Sequence, residues 1–424
     1  MTVEAKQTRR KTPLRMLLSA NAISNSGNKM ALVAIPWFVL QTTGSATRTA
    51  IAGSFLFLPV VISGFFGGPI IDRLGFKRMS VLADIASGAS VALIPLLHST
   101  VGLAFWQLVP LVFLGALLDA PGGTARSSLI ADTAELAGTR LERAVSAEDA
   151  IERGSGLIGA PVAGVLIGVV GASNVLWVDA ATFLVSAVLV GLFVHARSHR
   201  DVSRDVPSYF SDLKEGLSYI HESRALLLVI LTITVTNFVD GAIGSVVLPV
   251  YVNDRFGDAF SLGAILGVFG AGAFAGAIAY GAFGGRYSRR LIFVVGFVIV
   301  GLHPWMLAVF PPLVVVLIFM AIAGFAVGPI NSIVGAVELE RVPGRLRGRV
   351  LGASVATAWM ALPLGVLAGG YLIDGIGLRS ALIVLGGLYV GATGSLLFNP
   401  GARDLERGHV NQDADGNLPL DALD

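Results

Sequence analysis

Long apolar runs separated by short polar turns set the pattern of this chain. They fall at 14–40, 50–71, 79–98, 104–130, 147–170, 174–194, 225–250, 261–284, 291–310, 313–337, 350–372 and 380–398. A helix of roughly 20 apolar residues crosses a hydrocarbon layer about 30 Å thick, so the pattern predicts twelve transmembrane helices. Glycine recurs inside the runs, as at Gly263, Gly267, Gly270, Gly272 and Gly276. In lipid such small residues let helices approach closely. Pro36, Pro59, Pro161, Pro329 and Pro363 also lie inside runs. They predict kinks whose freed carbonyls need partners from other helices or from water.

The polar positions order these runs. Gly68-Pro69-Ile70-Ile71-Asp72-Arg73-Leu74-Gly75-Phe76-Lys77-Arg78 is a charged turn pinned between the second and third runs. Its three basic side chains place it on the cytoplasmic side, since short cytoplasmic loops concentrate Lys and Arg. Gly281, Arg286 and Arg290 repeat Gly68, Arg73 and Lys77 after 213 positions. A hairpin repeated at half the chain length predicts two related halves, as in secondary transporters. With both termini inside, only Arg48, Arg255 and Arg379, together with Lys29 and Arg126 within runs, lie away from the cytoplasmic segments among 30 Lys and Arg.

The expected organisation follows from this count. A six-helix bundle spans 1–194, a cytoplasmic linker with a surface helix from Tyr209 to Ile220 spans 195–224, a second bundle spans 225–398, and an acidic cytoplasmic tail spans 399–424. The basic start (Lys6, Arg9, Arg10, Lys11, Arg15) leads into a run too long for a signal-peptide core, which predicts an uncleaved first span.

Composition agrees and excludes several chemistries. Hydrophobic residues make up 54% of the chain, charged residues 14%, and mean hydropathy is +0.77, whereas roughly a quarter of a soluble domain is charged. A formal charge of +2 does not suggest a nucleic-acid partner. With no cysteine there is no disulfide, thiolate metal site or thiol nucleophile. Neither a GxxxxGK[ST] phosphate loop nor HExxH occurs. No enzyme, ATP-driven pump, metal or cofactor is expected; the expected surroundings are a lipid bilayer.

Asp72-Arg73-x-Gly75-x-Lys77-Arg78, its decayed copy and the twelve spans with a long central connection resemble the major facilitator superfamily over nearly the whole chain. Ala34-Ile35-Pro36-Trp37-Phe38, Thr43-Gly44-Ser45-Ala46 and Arg347-Gly348-Arg349-Val350 resemble its bacterial drug-efflux branch, which includes macrolide and actinobacterial tetracycline and multidrug exporters. Three positions depart from the pattern. Phe76 stands where the signature loop usually has a basic residue, and Ala160-Pro161 replaces the Gly-Pro of the antiporter motif, although Pro161-x-x-Gly164 remains. Asn28, followed by Lys29, stands where several relatives have an acid.

The resemblance implies an all-α fold of two pseudo-symmetric six-helix bundles in a bacterial cytoplasmic (inner) membrane, expelling amphiphilic compounds in exchange for protons. It implies that spans 1, 4, 7 and 10 line a central cavity. An ion at mid-membrane costs about 2.5–3.5 kcal/mol on insertion scales and marks function or a partner. Lys29, Asp119 and Asp240 then project from three of those helices. The expectation is that Asp119 and Asp240 exchange protons with Lys29 as charge partner; the alternative is a structural Lys29–Asp119 pair. Asp179 is expected as a structural hydrogen-bond acceptor near the external face, and Asp84 as part of the network around the signature loop.

The signature loop carries the gating expectation. Asp72 is expected at the start of span 11, near Gly348 to Gly352, holding the cytoplasmic side shut. Arg73 is expected to pair with Asp132, Glu148, Asp149 or Glu152, while Lys77 and Arg78 anchor topology. Asp149 and Arg153 share a helix face and are expected to pair; Arg126 is a candidate partner for Glu148 and Glu152. Asn28, Phe38, Asn237, Asn331 and Trp359 are candidate substrate-cavity residues, among aromatic and amide side chains that suit an amphiphilic ligand. Export of an endogenous metabolite such as a siderophore, nutrient import, or a non-transporting receptor are the competing readings.

Overall fold

A computed structural model describes residues 10–194, 206–344 and 346–398. The acidic tail, the start of the linker and the side chains of Asp72 and Asn331 lie outside the described residues, and so does the surroundings of Gly68. Everything described is helix or short turn. The first six helices are α1 (Thr12–Thr43), α2 (Ala46–Leu74), α3 (Phe76–Thr100), α4 (Phe105–Ala137), α5 (Leu141–Val170) and α6 (Ala172–Phe193). An amphipathic connecting helix, α7 (Val206–Glu222), follows. The second set contains α8 (Arg224–Ala242), α9 (Leu248–Arg255), α10 (Ala259–Phe283), α11 (Arg289–Gly301), α12 (His303–Ala308), α13 (Leu313–Arg341), α14 (Arg347–Ile376) and α15 (Leu378–Phe398).

Twelve rods result because two pairs are continuous. A π-helical stretch, Ile243–Val247, joins α8 to α9. Leu302 separates α11 from α12, just before Pro304 at the start of α12. Proline lacks the amide that would continue the helical bonding, so the ninth span, Arg289–Ala308, stays one membrane-length segment with an irregular turn at Leu302. Among the described residues, eleven of the rods are long and apolar enough to cross a membrane. The remaining rod is α1, which runs 32 residues, or about 48 Å at helical rise. Asn21, Ser24, Asn25, Ser26, Asn28 and Lys29 dilute its hydropathy. Its polar residues are spent on neighbouring helices, as described below.

Turn chemistry explains where the rods stop. Gly44 ends α1 at φ 62, a left-handed conformation, with its N–H on the Leu40 carbonyl. That conformation strains any residue with a Cβ. Ser45 then caps α2 by accepting from Arg48 N at 3.2 Å. Asp258 caps α10 by accepting from Ser261 N at 2.7 Å.

Two bundles form, α1 to α6 and α8 to α15, and they meet along two seams, α2 against α14 and α5 against α10. In lipid the apolar surface gains little from burial, so contact depends on close packing of small residues. Within the second bundle, a Cβ on Gly276 would lie 2.1 Å from the Phe325 carbonyl oxygen, and one on Gly365 would lie 1.7 Å from that of Phe238. Within the first, a Cβ on Gly122 would lie 2.6 Å from Ala83 Cβ. Helix α7 lies against α14, where Ile220 packs with Leu226, Val342, Leu346, Val350 and Ala353.

Candidate functional site

The close approach of α3 and α4 at Ala83 and Gly122 brings Asp84 onto Arg126. Gly122 and Arg126 are one turn apart on α4, so the glycine leaves room where the guanidinium reaches α3. Arg126 Nη1 donates to Asp84 Oδ1, and Asp84 Oδ2 accepts from Ser186 Oγ of α6 at 2.7 Å. Arg126 Nη2 also lies 3.5 Å from Asp119 Oδ1, an ionic contact, and 3.5 Å from Ser24 Oγ of α1. Asn28 of α1 completes the cluster by donating from Nδ2 to Asp119 Oδ2 at 2.9 Å. Four helices therefore converge on one buried arginine. Two carboxylates face one guanidinium, so the cluster carries a surplus negative charge that a single proton cancels. Asp119 is the edge of this network: its side chain is 23% accessible, against 0% for Asp84.

Several sequence expectations are corrected here. Lys29 does not meet Asp119 or Asp240. It pairs with Glu152 of α5 at 2.9 Å, because residue 29 is turned about 100° from residue 28 around the helix and faces α5 while Asn28 faces α4. Arg126 is not the partner of Glu148 or Glu152; Glu148 accepts from Ser127 Oγ at 2.6 Å and Glu152 from Asn25 Nδ2 at 2.8 Å. The reason is depth. Helix α4 continues to Ala137, about 16 Å beyond Arg126, which leaves that side chain inside the bundle. Asp84 accordingly belongs to the bundle interior and not to the signature loop.

Asp179 is not a satisfied acceptor either. Both its carboxylate oxygens are buried without a hydrogen bond, and Thr182 Oγ1 donates to the Asp179 backbone carbonyl at 2.7 Å instead. It sits beside Gly27, midway along α1: a Cβ there would lie 2.5 Å from Asp179 Oδ1. Asp149 and Arg153 form no ion pair, and Arg73, which is exposed, forms none among the described residues. Asp240 is exposed on α8, and among the described residues its carboxylate has no hydrogen bond or ion pair. Neighbouring Phe238 and Gly241 press instead against Gly365 and Leu362 of α14.

The substrate candidates separate. Phe38 is 5% exposed and stacks edge-on with His98 at 4.9 Å; it is core, because residues 33–40 of α1 are buried all round. Asn237 donates to the Ala358 carbonyl at 3.1 Å, and Asn28 is committed to Asp119. Trp359 is 44% exposed.

The two seams explain that exposure. At the end of the molecule carrying Gly44, a Cβ on Gly164 would lie 2.5 Å from Gly263 Cα, one on Gly267 would lie 2.4 Å from Pro161 Cγ, and one on Gly370 would lie 2.3 Å from Ala50 Cβ. Gln41 Nε2 donates to Asn253 Oδ1 across the same end at 2.6 Å. Toward the Gly75 end the seams part. Along α14 the stripe facing α2 is buried at Gly370, Val366 and Pro363, then exposed at Trp359, Val355 and Gly352. Along α10 the stripe facing α5 is buried at Gly263 and exposed at Phe274 and Gly281. No heavy atom lies within 4 Å of a Cβ built on Gly281, Gly348 or Gly352. The start of α14, expected to receive Asp72, is exposed, and Arg349 there pairs with Glu215 of α7.

Pro161 and Gly164, the antiporter-like pair, thus stand on the closed half of one seam, and Trp359 on the open half of the other. Sequence reading passed over Asp374, whose carboxylate reaches from α14 to the start of α2. The signal was an acid just beyond the predicted end of a span.

Comparison with known proteins agrees with this architecture. The model of the Major Facilitator Superfamily matches residues 17–257 and 230–417. The chain is 30% identical over 386 residues to the multidrug efflux pump Tap of Mycolicibacterium fortuitum, covering 88% of this chain and 92% of that protein. It is 20% identical over 378 residues to macrolide efflux protein A of Streptococcus pyogenes, covering 88% and 92%. The crystal structure of the D323A mutant of the nucleoside transporter NupG superposes with a TM-score of 0.74 at 14% identity, covering 91% of this chain and 99% of that one. Two six-helix bundles meeting at glycine seams around a buried charge cluster fit that family: this chain is a multi-pass membrane transporter of the Major Facilitator Superfamily.

Proposed function

We propose that this transporter expels amphiphilic drug-like compounds from the cytoplasm in exchange for protons, by alternating access between its two bundles. The observation that carries the reading is the pair of seams, sealed at the Gly44 end and parted at the Gly75 end. If the basic turns lie in the cytoplasm, as charge asymmetry favours, this state is open inward. The likeness to Tap and to macrolide efflux protein A supports drug-like cargo and the outward direction.

Asp119 is the residue assigned to proton exchange. Of the cluster's two carboxylates it alone is partly accessible, and its ionised form is held by Asn28 and Arg126. A proton on it removes the surplus charge of the Asp84–Arg126–Asp119 set and releases its hold on α1, a helix whose other half is enclosed at the closed end. Lys29 and Glu152 form a separate, more exposed pair at the wall of the opening. Asp240 is a second acid, exposed on α8 and without a hydrogen bond or ion pair among the described residues. Substrate meets Trp359 where the α2–α14 seam parts.

The test is flux. Inverted membrane vesicles carrying the protein, given an inside-acidic pH gradient, should accumulate a fluorescent cationic drug and lose it when the gradient is collapsed. Accumulation that ignores the gradient would remove proton coupling; binding without accumulation would make the protein a receptor.

A further inference from the structure

We propose that Asp374 is a latch between the bundles, a positioning residue that holds the Gly44 end closed. This rests on the alternating-access reading above. Helix α2 begins at Ala46, and the first amides of any helix lack acceptors within it. Ser45 supplies one by capping Arg48 N. The others come from the opposite bundle: Asp374 accepts from Thr47 N at 2.9 Å, from Ser45 Oγ at 3.1 Å and from Ala46 N at 3.3 Å.

Two features show that this contact is built and not incidental. Asp374 lies in the last turn of α14, which ends at Ile376. A carboxylate there faces the negative end of its own helix and is disfavoured; at the start of α2 the same charge meets the positive end of another. One turn earlier, Gly370 removes the side chain that would keep the helices apart. A Cβ there would lie 2.7 Å from the Ala46 carbonyl oxygen, and Thr47 Oγ1 reaches the Gly370 carbonyl at 3.5 Å. Acid and glycine therefore form one surface, shaped to the first turn of α2.

When the bundles rock apart at this end, the carboxylate loses three directed donors at once and returns to the unfavourable end of α14. Charged hydrogen bonds of this kind shift an equilibrium by about tenfold or more when removed. The latch thus biases the cycle toward the state closed at the Gly44 end and sets how readily the other state is reached.

The experiment uses the natural absence of cysteine. Ser99→Cys and Arg379→Cys, exposed positions at the Gly44 end of the two bundles, carry spin labels in the full-length protein in nanodiscs. Pulsed dipolar distances should show a short and a long population whose ratio responds to pH and drug. In an Asp374→Asn background the long population should rise by about tenfold relative to the short one, and in Ser45→Ala by a smaller factor in the same direction. An unchanged ratio in Asp374→Asn overturns the latch while alternating access stands. A single distance in the parent under every condition overturns alternating access itself. If Asp374→Asn does not insert, Ser45→Ala decides, and an unchanged ratio there overturns the latch equally.

Discussion

Arg126 on α4 and Asp84 on α3 form an ion pair shut off from solvent, their side chains 2% and 0% accessible. Removing one partner of such a pair leaves the other charge buried and costs roughly 3–5 kcal/mol. Arg126→Met and Asp84→Leu are each expected to lower the melting temperature in detergent sharply. The double variant should recover most of the loss, because two apolar side chains need no partners. Single variants as stable as the parent would show that the pair does not hold the bundle together.

Asp119→Asn should separate folding from coupling. The amide keeps the shape that meets Asn28 and Arg126 but neither gains nor loses a proton. Expression and melting should stay near the parent, while gradient-driven drug accumulation in vesicles falls by about a hundredfold, within the range expected when a positioned proton carrier is removed. Normal accumulation would move the coupling role elsewhere, with Asp240 as the next candidate.

Gly164→Ala and Gly365→Ala should fail in different ways. The first puts a methyl group about where Gly263 backbone sits across the α5–α10 seam, so it obstructs closure of the Gly44 end and should cut transport with little effect on melting. The second drives a methyl into the Phe238 carbonyl inside one bundle and should cost about 1–3 kcal/mol of stability. Melting and flux measured side by side check both.

Phe38→Ala and Trp359→Ala provide a second contrast. Phe38 is core, so its loss should cost about 3–5 kcal/mol and leave the relative preference among drugs unchanged. Trp359 is 44% exposed in the parted seam, so its loss should change stability by less than about 0.5 kcal/mol and reorder that preference. A drug panel run on both variants reads the difference.

The polar positions of α1 show how far a linear reading reaches. Asn25, Asn28 and Lys29 stand out in an apolar run, and all three make inter-helix bonds. Which helix each would meet was not legible, since residues adjacent in sequence point about 100° apart. The reading of Arg126 as an end-of-span residue failed because the pattern ended α4 near 130, before its polar last turns through Ala137. Asp374 was missed for a related reason: its partners Ser45, Ala46 and Thr47 lie over 300 residues away, and nothing local announces them.

Apolar runs long enough to span a bilayer and a basic hairpin copied at half-length determine a polytopic helical membrane protein of two related halves. Those properties reside in composition and period, which each segment carries alone. The tertiary structure decided which acid meets which base, that Phe38 is core and Trp359 is not, and which end of the seams is shut. Partners in an apolar interior are chosen by helix rotation and by where glycine lets backbones touch, and both are set only when all the helices pack at once.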